Sequence, residues 1–350
     1  MVINSDTLKT KLDYLGMAIS KDATALFKYK VILFKSINGE LFAFTNDGIN
    51  NIKVNIGPIS ETVNSALIEY QSFANFIKTC DGDITLTFSD KSINIKTSTV
   101  KCKLPLQFSA TKDGGVLDPT SPAAFDKSLD KEINVNAIKT ILDLSIVKPY
   151  NKVCFNDNIM VNDTNNVLII NDRIFSKNIL LNFSSILILS RIHNVKYIFY
   201  KVKDIPMIFL SSDELEASII IDLNESNDFQ YDDFIDLIND TQGENVEIDT
   251  KVLAKAMSTS QLFKTNPVCS FGSDGISLKI DVVDFVYKIS DTSCVNRQFI
   301  LKPDTVKKIC MLGETVKIYY SNPDLIKCET TNMTEVLSVE EVSNNGGGSK

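Results

Sequence analysis

The sequence lacks tryptophan altogether and contains a single histidine, His193, among its 350 residues. A Ser-His-Asp or Cys-His catalytic site would have to use that one side chain, and a metal site built from several histidines is excluded. His193 follows a predicted helix, where capping or contact with solvent is a more common role than catalysis. The sequence also has no glycine-rich loop of the P-loop or dinucleotide-binding type, so it offers no motif for nucleotide hydrolysis.

Zinc-binding and disulfide frameworks are missing as well. The chain has seven cysteines, an odd number, at positions 80, 102, 154, 269, 294, 310 and 328, and no two of them have C-x-x-C spacing. This pattern excludes the usual zinc layouts and is typical of reduced thiols in a cytoplasmic protein.

Long apolar segments and a secretion signal are also absent from the sequence. Apolar runs such as residues 186–189 are far shorter than the roughly 20 residues that a membrane-crossing helix needs. Residues 1–6 contain neither the basic nor the apolar region of a signal peptide. We therefore expect a cytoplasmic protein, in which residues 343–350, ending in Gly-Gly-Gly-Ser-Lys, form a flexible tail.

Basic residues are in the minority. The chain has 36 lysines and arginines against 44 aspartates and glutamates, which gives a net charge of −8 and a pI near 4.9. As a bulk figure, this charge argues against simple electrostatic binding to nucleic acid. The argument fails if the basic residues are gathered on one surface, so their positions matter more than their number.

The sequence does contain one structural unit that occurs six times. Each copy has a short β-like segment, a polar residue suited to cap a helix, a short amphipathic helix, and then strands separated by turn signals such as Asn38-Gly39. The predicted helices cover residues 8–19, 73–79, 137–146, 185–192, 251–262 and 305–312, with caps at Asn4 or Ser5, Ser72, Asn136, Ser184, Asp249 and Asp304.

Pairing adjacent units gives an α+β fold with three tandem domains, each made of two helix-plus-antiparallel-strand repeats. Linker signals cluster in residues 109–131 and 239–245, so the predicted domains are 1–126, 127–241 and 242–342. The acidic stretch 224–240, before the second boundary, is predicted to be a solvated connector.

The predicted helices are net positive although the chain is net negative. About twelve lysines and arginines lie on or beside the six helices, against about five acidic residues. Lysine-rich helix surfaces are common, but six equivalent basic helices also fit one surface turned toward a polyanion, with phosphate contacts and no base reading. The residues expected to face it are Lys9, Lys11, Lys78, Lys139, Arg191, Lys251, Lys255, Lys307 and Lys308.

With these features, the sequence resembles a bacterial-type DNA polymerase sliding clamp, the β processivity subunit, in a divergent and possibly phage-encoded form. The best stretches are residues 73–78 through 103–106, residues 246–263 followed by 275–280, and residues 299–339. The resemblance implies a non-catalytic ring that encircles double-stranded DNA without sequence specificity and needs no metal or cofactor. It also implies a head-to-tail homodimer, with helices inside and sheets outside, that holds the DNA polymerase and the clamp loader through short peptide motifs.

The resemblance further implies two contact sites on each chain. The peptide-binding pocket would be lined by Leu168, Arg173, Ile174, Thr305, Pro323, Leu325, Val336, Leu337 and Val339. The dimer interface would contain Leu104, Leu106, Leu262 and Phe263. The run Asn171-Asp172-Arg173 is shorter than its counterpart in the family, and the C-terminus also differs. Two alternatives to an intact pocket therefore remain: a pocket of different shape, or no pocket. A core role for these apolar residues stays open too.

Three other functions are weighed against a clamp. Aspartate pairs such as Asp232-Asp233 could bind Mg²⁺ in an enzyme, although acidic loop residues are more often only solvated. A β-rich phage structural protein and a clamp-like polymerase-binding protein that does not encircle DNA are the other two. A ring predicts a particle of about twice the 39.0 kDa chain mass, which neither of these requires.

Overall fold

The computed structural model describes residues 1–107, 131–133, 136–145, 152–162, 166–221, 231–241, 243, 245–262, 268–272, 275–280, 283–290, 297–320, 322 and 324–341. The chain forms two compact units. The first consists of Met1–Val135 and Leu181–Leu223, and the second of Asn136–Leu180 and Asn224–Lys350. The three domains expected from the sequence, with borders at 126/127 and 241/242, stay a prediction.

All six predicted helices are present. The α-helices are α1 (Ser5–Gly16), α2 (Tyr70–Lys78), α3 (Asn136–Ser145), α4 (Phe183–Arg191), α5 (Tyr231–Asp240), α6 (Thr250–Leu262) and α7 (Pro303–Leu312). No helix in these described ranges is long and apolar enough to cross a membrane. The additional helix, α5, lies in the acidic stretch that was expected to be a solvated connector, and that prediction is wrong for residues 231–240. Its Ile235 and Ile238 pack against buried apolar residues of the second unit, which a solvated segment would not do.

The predicted helix caps are correct at two positions and wrong at others. The Asn4 side chain accepts from the backbone N–H of Asp6 at 2.9 Å, and the Asp249 side chain accepts from Lys251 N–H at 2.8 Å. Ser72 and Ser184 lie inside α2 and α4, because these helices begin earlier than their apolar spacing indicates. Asp304 likewise lies in the first turn of α7, after Pro303.

The strands follow the helices in regular groups. In chain order they are β1 (Val2–Asn4), β2 (Val31–Ile37), β3 (Glu40–Asn46), β4 (Asn50–Pro58), β5 (Ala66–Glu69), β6 (Asp83–Phe88), β7 (Ser92–Lys96), β8 (Lys101–Pro105), β9 (Lys131–Glu132), β10 (Lys152–Phe155), β11 (Ile159–Asn162), β12 (Asn166–Ile170) and β13 (Ile179–Asn182). They continue with β14 (Lys196–Val202), β15 (Ile205–Ser211), β16 (Glu216–Ile220), β17 (Asn245–Asp249), β18 (Val268–Gly272), β19 (Gly275–Ile280), β20 (Val283–Ser290), β21 (Arg297–Ile300), β22 (Thr315–Tyr319), β23 (Leu325–Glu329), β24 (Met333–Ser338) and β25 (Glu340–Glu341).

These strands form four antiparallel sheets. The first unit contains a four-stranded sheet, β1-β6-β7-β8, and an eight-stranded sheet, β5-β2-β3-β4-β16-β15-β14-β9. The second contains an eight-stranded sheet, β13-β10-β11-β12-β24-β23-β22-β17, and a five-stranded sheet, β20-β19-β18-β21-β25. Each eight-stranded sheet therefore joins two sets of four strands, through the β4·β16 and β12·β24 pairs.

One pairing rule generates all six sets of four strands. In each set, a three-strand meander follows one helix, and its first strand pairs with the strand that precedes the neighbouring helix. For example, β2-β3-β4 follows α1 and pairs with β5, which leads into α2, whereas β6-β7-β8 follows α2 and pairs with β1, which leads into α1. This arrangement confirms the repeated unit predicted from the sequence.

The six helices of the repeated unit pack on the sheets through apolar residues at helical spacing, whereas α5 packs against residues such as Val167 of the second unit. In the first unit, α1 buries Leu8, Leu12 and Leu15, and Phe34 of β2 meets Phe73 of α2 with ring centroids 5.5 Å apart. In the second unit, α7 buries Val306, Ile309 and Leu312. Each such side chain contributes roughly 1.5–3 kcal/mol through burial, which fixes the outward side of each helix.

Candidate nucleic-acid interface and partner sites

Among the described helices, exposed basic residues are densest on α6 and α7, which pack against each other in the second unit. Lys251 and Lys255 of α6 and Lys307 of α7 are exposed, and α6 contains no acidic residue. Lys251 Nζ lies 2.8 Å from a carboxylate oxygen of Glu314, and this hydrogen bond and charge raise the pKa of Lys251. Both side chains of this pair are more than two-thirds exposed, so a phosphate group can compete for the ammonium at little cost.

The lysines of α1 are already engaged within the chain. Lys9 Nζ lies 3.5 Å from Asp6 Oδ1 and 3.8 Å from Asp81 Oδ1. Lys11 Nζ donates to the backbone carbonyls of Asn55 at 2.5 Å and Ile56 at 3.1 Å, and burial lowers the pKa of Lys11. Because Asp6 and Asp13 are exposed on the same helix, α1 adds little positive charge to the surface.

The remaining predicted phosphate contacts are single exposed residues. Lys78 of α2, Lys139 of α3 and Arg191 of α4 each have an exposed side chain. Their orientation is compatible with contact to a polyanion, but each stands alone on its helix. The positive charge of the helices is therefore concentrated in the second unit, on α6 and α7.

Lys308 was predicted to belong to the exposed basic surface, and this prediction is wrong. Its side chain is 3 % exposed, and its Nζ lies 3.5 Å from Glu335 Oε1 on β24, whose side chain is fully buried. Helical spacing places Lys308 beside Leu312 at the edge of the buried arc of α7, whereas Lys307 points outward. The lysine therefore pairs with a sheet residue beneath the helix and does not reach solvent.

The residues predicted to line the peptide pocket lie on both faces of the eight-stranded sheet of the second unit. Val336 and Leu337 are successive residues of β24, so their side chains point to opposite faces of the sheet. Leu168 lies opposite Glu335 and shares the helix side with Leu337, whereas Leu325 and Val336 face the other side. Leu168, Val336 and Leu337 are also buried, so a peptide could not touch them without displacing their neighbours.

Four of the predicted pocket residues remain at the surface of the second unit or close to it. Thr305, Leu325 and Val339 are half-buried, and Arg173 is exposed, with its guanidinium 2.7 Å from Asp157 Oδ1. Ile174 is buried, and Pro323 lies outside the described residues.

The sheet face opposite the helices carries a lysine that the sequence analysis missed. We call this surface the outer face and define it by Val167, Leu325, Lys327, Tyr319 and Val336. Lys327 Nζ lies 3.9 Å from the centroid of the Tyr319 ring, and burial lowers the pKa of Lys327. Helix α5 covers the Val167 side of this face, while Leu325 and Tyr319 are half-buried at the other side. Alternation along β23 could have indicated that Lys327 and Leu325 share a face.

Eight described strands stand at the ends of the four sheets, and two of them, β8 and β20, are the last strands of their meanders. β8 pairs only with β7, and β20 only with β19, in the part of the chain that the structure describes. Of the predicted dimer contacts, Leu104 and Leu106 are half-buried at or just after β8, Leu262 is 80 % exposed at the end of α6, and Phe263 lies outside the described residues. Open edges with free N–H and C=O groups favour pairing with another strand.

Metal-binding clusters are not found in the described ranges, where no three His, Cys, Asp or Glu residues lie close enough to hold a metal ion. Asp81 is fully exposed near Lys9. The single histidine, His193, is also exposed.

The comparisons with known proteins identify the fold. No protein-family model and no curated sequence matches the chain. Among solved structures, it is similar to the Helicobacter pylori beta clamp bound to a DNA ligase peptide, with a TM-score of 0.70 and 13 % identity over 97 % of this chain and 99 % of that one. The beta subunit of DNA polymerase from Streptococcus pyogenes gives 0.71 and 14 %, and the DNA polymerase III beta subunit from Pseudomonas aeruginosa gives 0.71 and 10 %, each over 97 % and 99 %. The chain thus has the beta-clamp fold along nearly its whole length.

Proposed function

We propose that this chain, with its beta-clamp fold, is a DNA sliding clamp: a ring-shaped processivity factor that encircles duplex DNA and tethers a replicative DNA polymerase. The match covers 97 % of this chain and 99 % of the clamp chains, which supports this proposal. The protein would act without catalysis or cofactor, in the cytoplasm, or in the host cytoplasm if a phage encodes it.

The arrangement of sheet edges carries the proposal. Within the chain, β4, the last strand of the meander after α1, pairs with β16, the last strand of the meander after α4. In the same way β12, which ends the meander after α3, pairs with β24, which ends the meander after α7. The same rule leaves β20 and β8 as the remaining complementary strands. Because each chain has one of each, two copies joined head to tail would satisfy both open edges and close into a ring.

The DNA contact would be electrostatic and without sequence specificity. Lys251, Lys255 and Lys307 offer exposed ammonium groups, and the described helices carry no aromatic reading surface beside them. Such contacts bind phosphates weakly and release them easily, which permits sliding. Retention would come from enclosure, which keeps the bound polymerase at high effective concentration near the primer end.

Polymerase and clamp loader would bind through short peptides, as the Helicobacter pylori clamp binds a DNA ligase peptide. The accessible candidates in the second unit are Arg173, Thr305, Leu325 and Val339, and Tyr319 joins them because it is half-buried on the outer face beside Lys327. Pro323 and Ile174 stay in the proposed site on the resemblance alone.

No observation favours the alternatives of a β-rich phage structural protein or a clamp-like protein that does not encircle DNA. The decisive experiment has two parts. Light scattering after gel filtration should give about twice the chain mass of 39.0 kDa. Protein loaded by its own clamp loader should then remain on nicked circular DNA through a high-salt wash and leave when the DNA is cut. A monomer, or equal retention on circular and linear DNA, would refute the proposal.

A further inference from the structure

The loop between α1 and β2 ends in the run Phe27-Lys28-Tyr29-Lys30, in which aromatic and basic residues alternate. Just before and within this run, Leu26 is 62 % exposed and Phe27 is 44 % exposed, and we call these two residues the apolar tip. Single exposed apolar side chains are common on protein surfaces, but neighbouring ones point to a contact with another molecule. The contacts proposed above for a clamp do not use this loop.

Hydrogen bonds and one ring contact brace the loop. The Ser20 N–H donates to the Tyr29 carbonyl at 2.9 Å and closes the loop at its base. The Tyr29 ring packs against Gly48, where an added Cβ would lie 3.2 Å from it. Lys30 Nζ donates to the Ala23 carbonyl at 2.6 Å, across the loop. The apolar tip therefore stands on a preformed support, so a ligand that binds there loses little affinity to the ordering of the loop.

The loop carries three lysines and a single aspartate. Hydrogen bonds from the Thr24 N–H and hydroxyl, each 2.8 Å long, and the charge of Lys30 lower the pKa of Asp22, so this carboxylate is already engaged within the loop. The other two lysines, Lys21 and Lys28, form no ion pair with a described residue. Two ammonium groups on the same loop as the apolar tip are thus left for an anionic partner.

We propose that this loop binds single-stranded DNA, with the Phe27 ring stacked on an unpaired base and Lys21 and Lys28 in contact with phosphates. The choice of DNA rests on the proposed clamp function, since a polymerase tethered at a primer end works beside an unpaired template strand. In a duplex the base faces are covered by their neighbours, so an exposed ring finds a stacking partner only on an unpaired base. An acidic peptide also carries anions, but it offers the ring no comparable flat surface.

The absence of tryptophan from the chain gives a direct test, because Phe27→Trp in the full-length protein places the one indole fluorophore in this loop. Oligothymidine should quench its fluorescence saturably, since a stacked base quenches an indole ring, whereas a blunt duplex of the same length should not. Val202→Trp is the matched control: Val202 is 45 % exposed at the end of β14, outside the loop, and its replacement should not be quenched. A lack of quenching at position 27, equal quenching by duplex and single strand, or equal quenching in both variants would overturn the proposal.

Fluorescence anisotropy with labelled oligothymidine separates stacking from charge. Phe27→Ala should weaken binding about tenfold, whereas Phe27→Tyr, which keeps the ring, should stay within about twofold of the unaltered protein. Lys21→Gln with Lys28→Gln should lower the slope of log affinity against log salt by about 1.4, roughly 0.7 for each contact with a single-strand phosphate.

Two results would refute the loop as a stacking site: unchanged affinity in Phe27→Ala, or polyglutamate of equal charge competing as well as unlabelled oligothymidine does. These measurements need neither a closed ring nor a clamp loader. A protein that stays on circular DNA and yet fails them refutes the loop proposal alone, and one that passes them as a monomer refutes only the ring.

Discussion

Lys307 and Lys308 are neighbours in α7, yet they have opposite surroundings. Lys307 is exposed, whereas Lys308 is 3 % exposed and lies 3.5 Å from the fully buried Glu335. Removing water from two charges costs several kcal/mol for each, and only their mutual attraction and further hydrogen bonds offset that cost. The pair is therefore sensitive to the loss of either partner.

We expect Lys308→Ala to lower the free energy of unfolding of the second unit by about 3–5 kcal/mol, because it leaves the Glu335 carboxylate buried without its nearby ammonium. Lys307→Ala is the matched control and should change stability by less than about 0.5 kcal/mol. Urea denaturation of both variants checks the difference. Equal stabilities would show that Glu335 is compensated without Lys308.

At this scale, the sequence predicted what depends on near neighbours and missed what depends on the fold. The caps at Asn4 and Asp249 follow from residues two positions away, and both are confirmed. The burial of Lys308 depends on Glu335, which is far along the chain and reaches α7 only through the sheet. No local pattern distinguishes this lysine from the exposed Lys307.

Among the elements, the helices and meanders could be predicted because their signals are local: apolar spacing, caps and turn residues. Helix α5 was missed because its many aspartates indicate a solvated segment, while the cluster that buries Ile235 and Ile238 comes from β10, β11, β12 and β13. The predicted peptide pocket, which stays a prediction, illustrates a different limit of sequence reasoning. A resemblance carried over residue by residue ignored the two-residue alternation of β24, which separates Val336 from Leu337.

The helices also differ in the number of ammonium groups that they expose for the proposed contact with DNA phosphates. Lys255 of α6 and Lys307 of α7 are exposed, whereas Lys9 and Lys11 of α1 are engaged with aspartates or with backbone carbonyls. Only exposed, uncommitted ammonium groups can release counterions from DNA when they bind phosphate. The four lysines should therefore fall into two classes.

We expect the double variant Lys255→Gln, Lys307→Gln to lower the slope of log affinity against log salt by about 1.8, which is roughly 0.9 for each lost phosphate contact. Lys9→Gln with Lys11→Gln is the control and should change the slope by less than about half as much. Fluorescence anisotropy with duplex DNA at several salt concentrations measures both. A larger effect in α1 than in α6 and α7 would reverse the assignment of the basic surface.

For the whole molecule, the pairing rule predicts a specific register for the proposed contact between two copies. In the β4·β16 pair, Asn51 lies opposite Ser218. Asn51 is the third residue after the midpoint of the β3–β4 turn, and Ser218 is the fifth residue after the midpoint of the β15–β16 turn. The β12·β24 pair has the same offset, with Val167 opposite Val336. Identical offsets at both pairs indicate that the geometry of one repeat fixes how it joins the next.

In the proposed ring, the same offset would place Lys103 of β8 opposite Asp284 of β20 in a second copy, counted from the Lys96·Lys101 and Ile280·Val283 hairpin pairs. A lysine also faces an acid at the β4·β16 pair, where Lys53 Nζ lies 3.0 Å from Glu216 Oε2. The sequence alone could not give this register, because it depends on strand pairs that are distant along the chain. From the resemblance, β8 is expected at the dimer interface. Its expected partner is only a region, the end of α6 and the strands after it, and not a particular strand.

Lys103→Glu and Asp284→Lys should each weaken the dimer about tenfold or more, because like charges then lie directly opposite each other between two antiparallel strands. The double variant restores an opposite-charge pair in reversed order and should recover most of the affinity, which no independent loss of folding would produce. Lys101→Glu is the matched control: the same offset places Lys101 opposite Val286, so its reversal should have a smaller effect. Sedimentation equilibrium of the four variants measures the dimer dissociation constant. If the double variant dissociates as readily as the single ones, Lys103 and Asp284 are not opposite each other, and the offset that relates the internal sheet joins does not extend to the contact between copies.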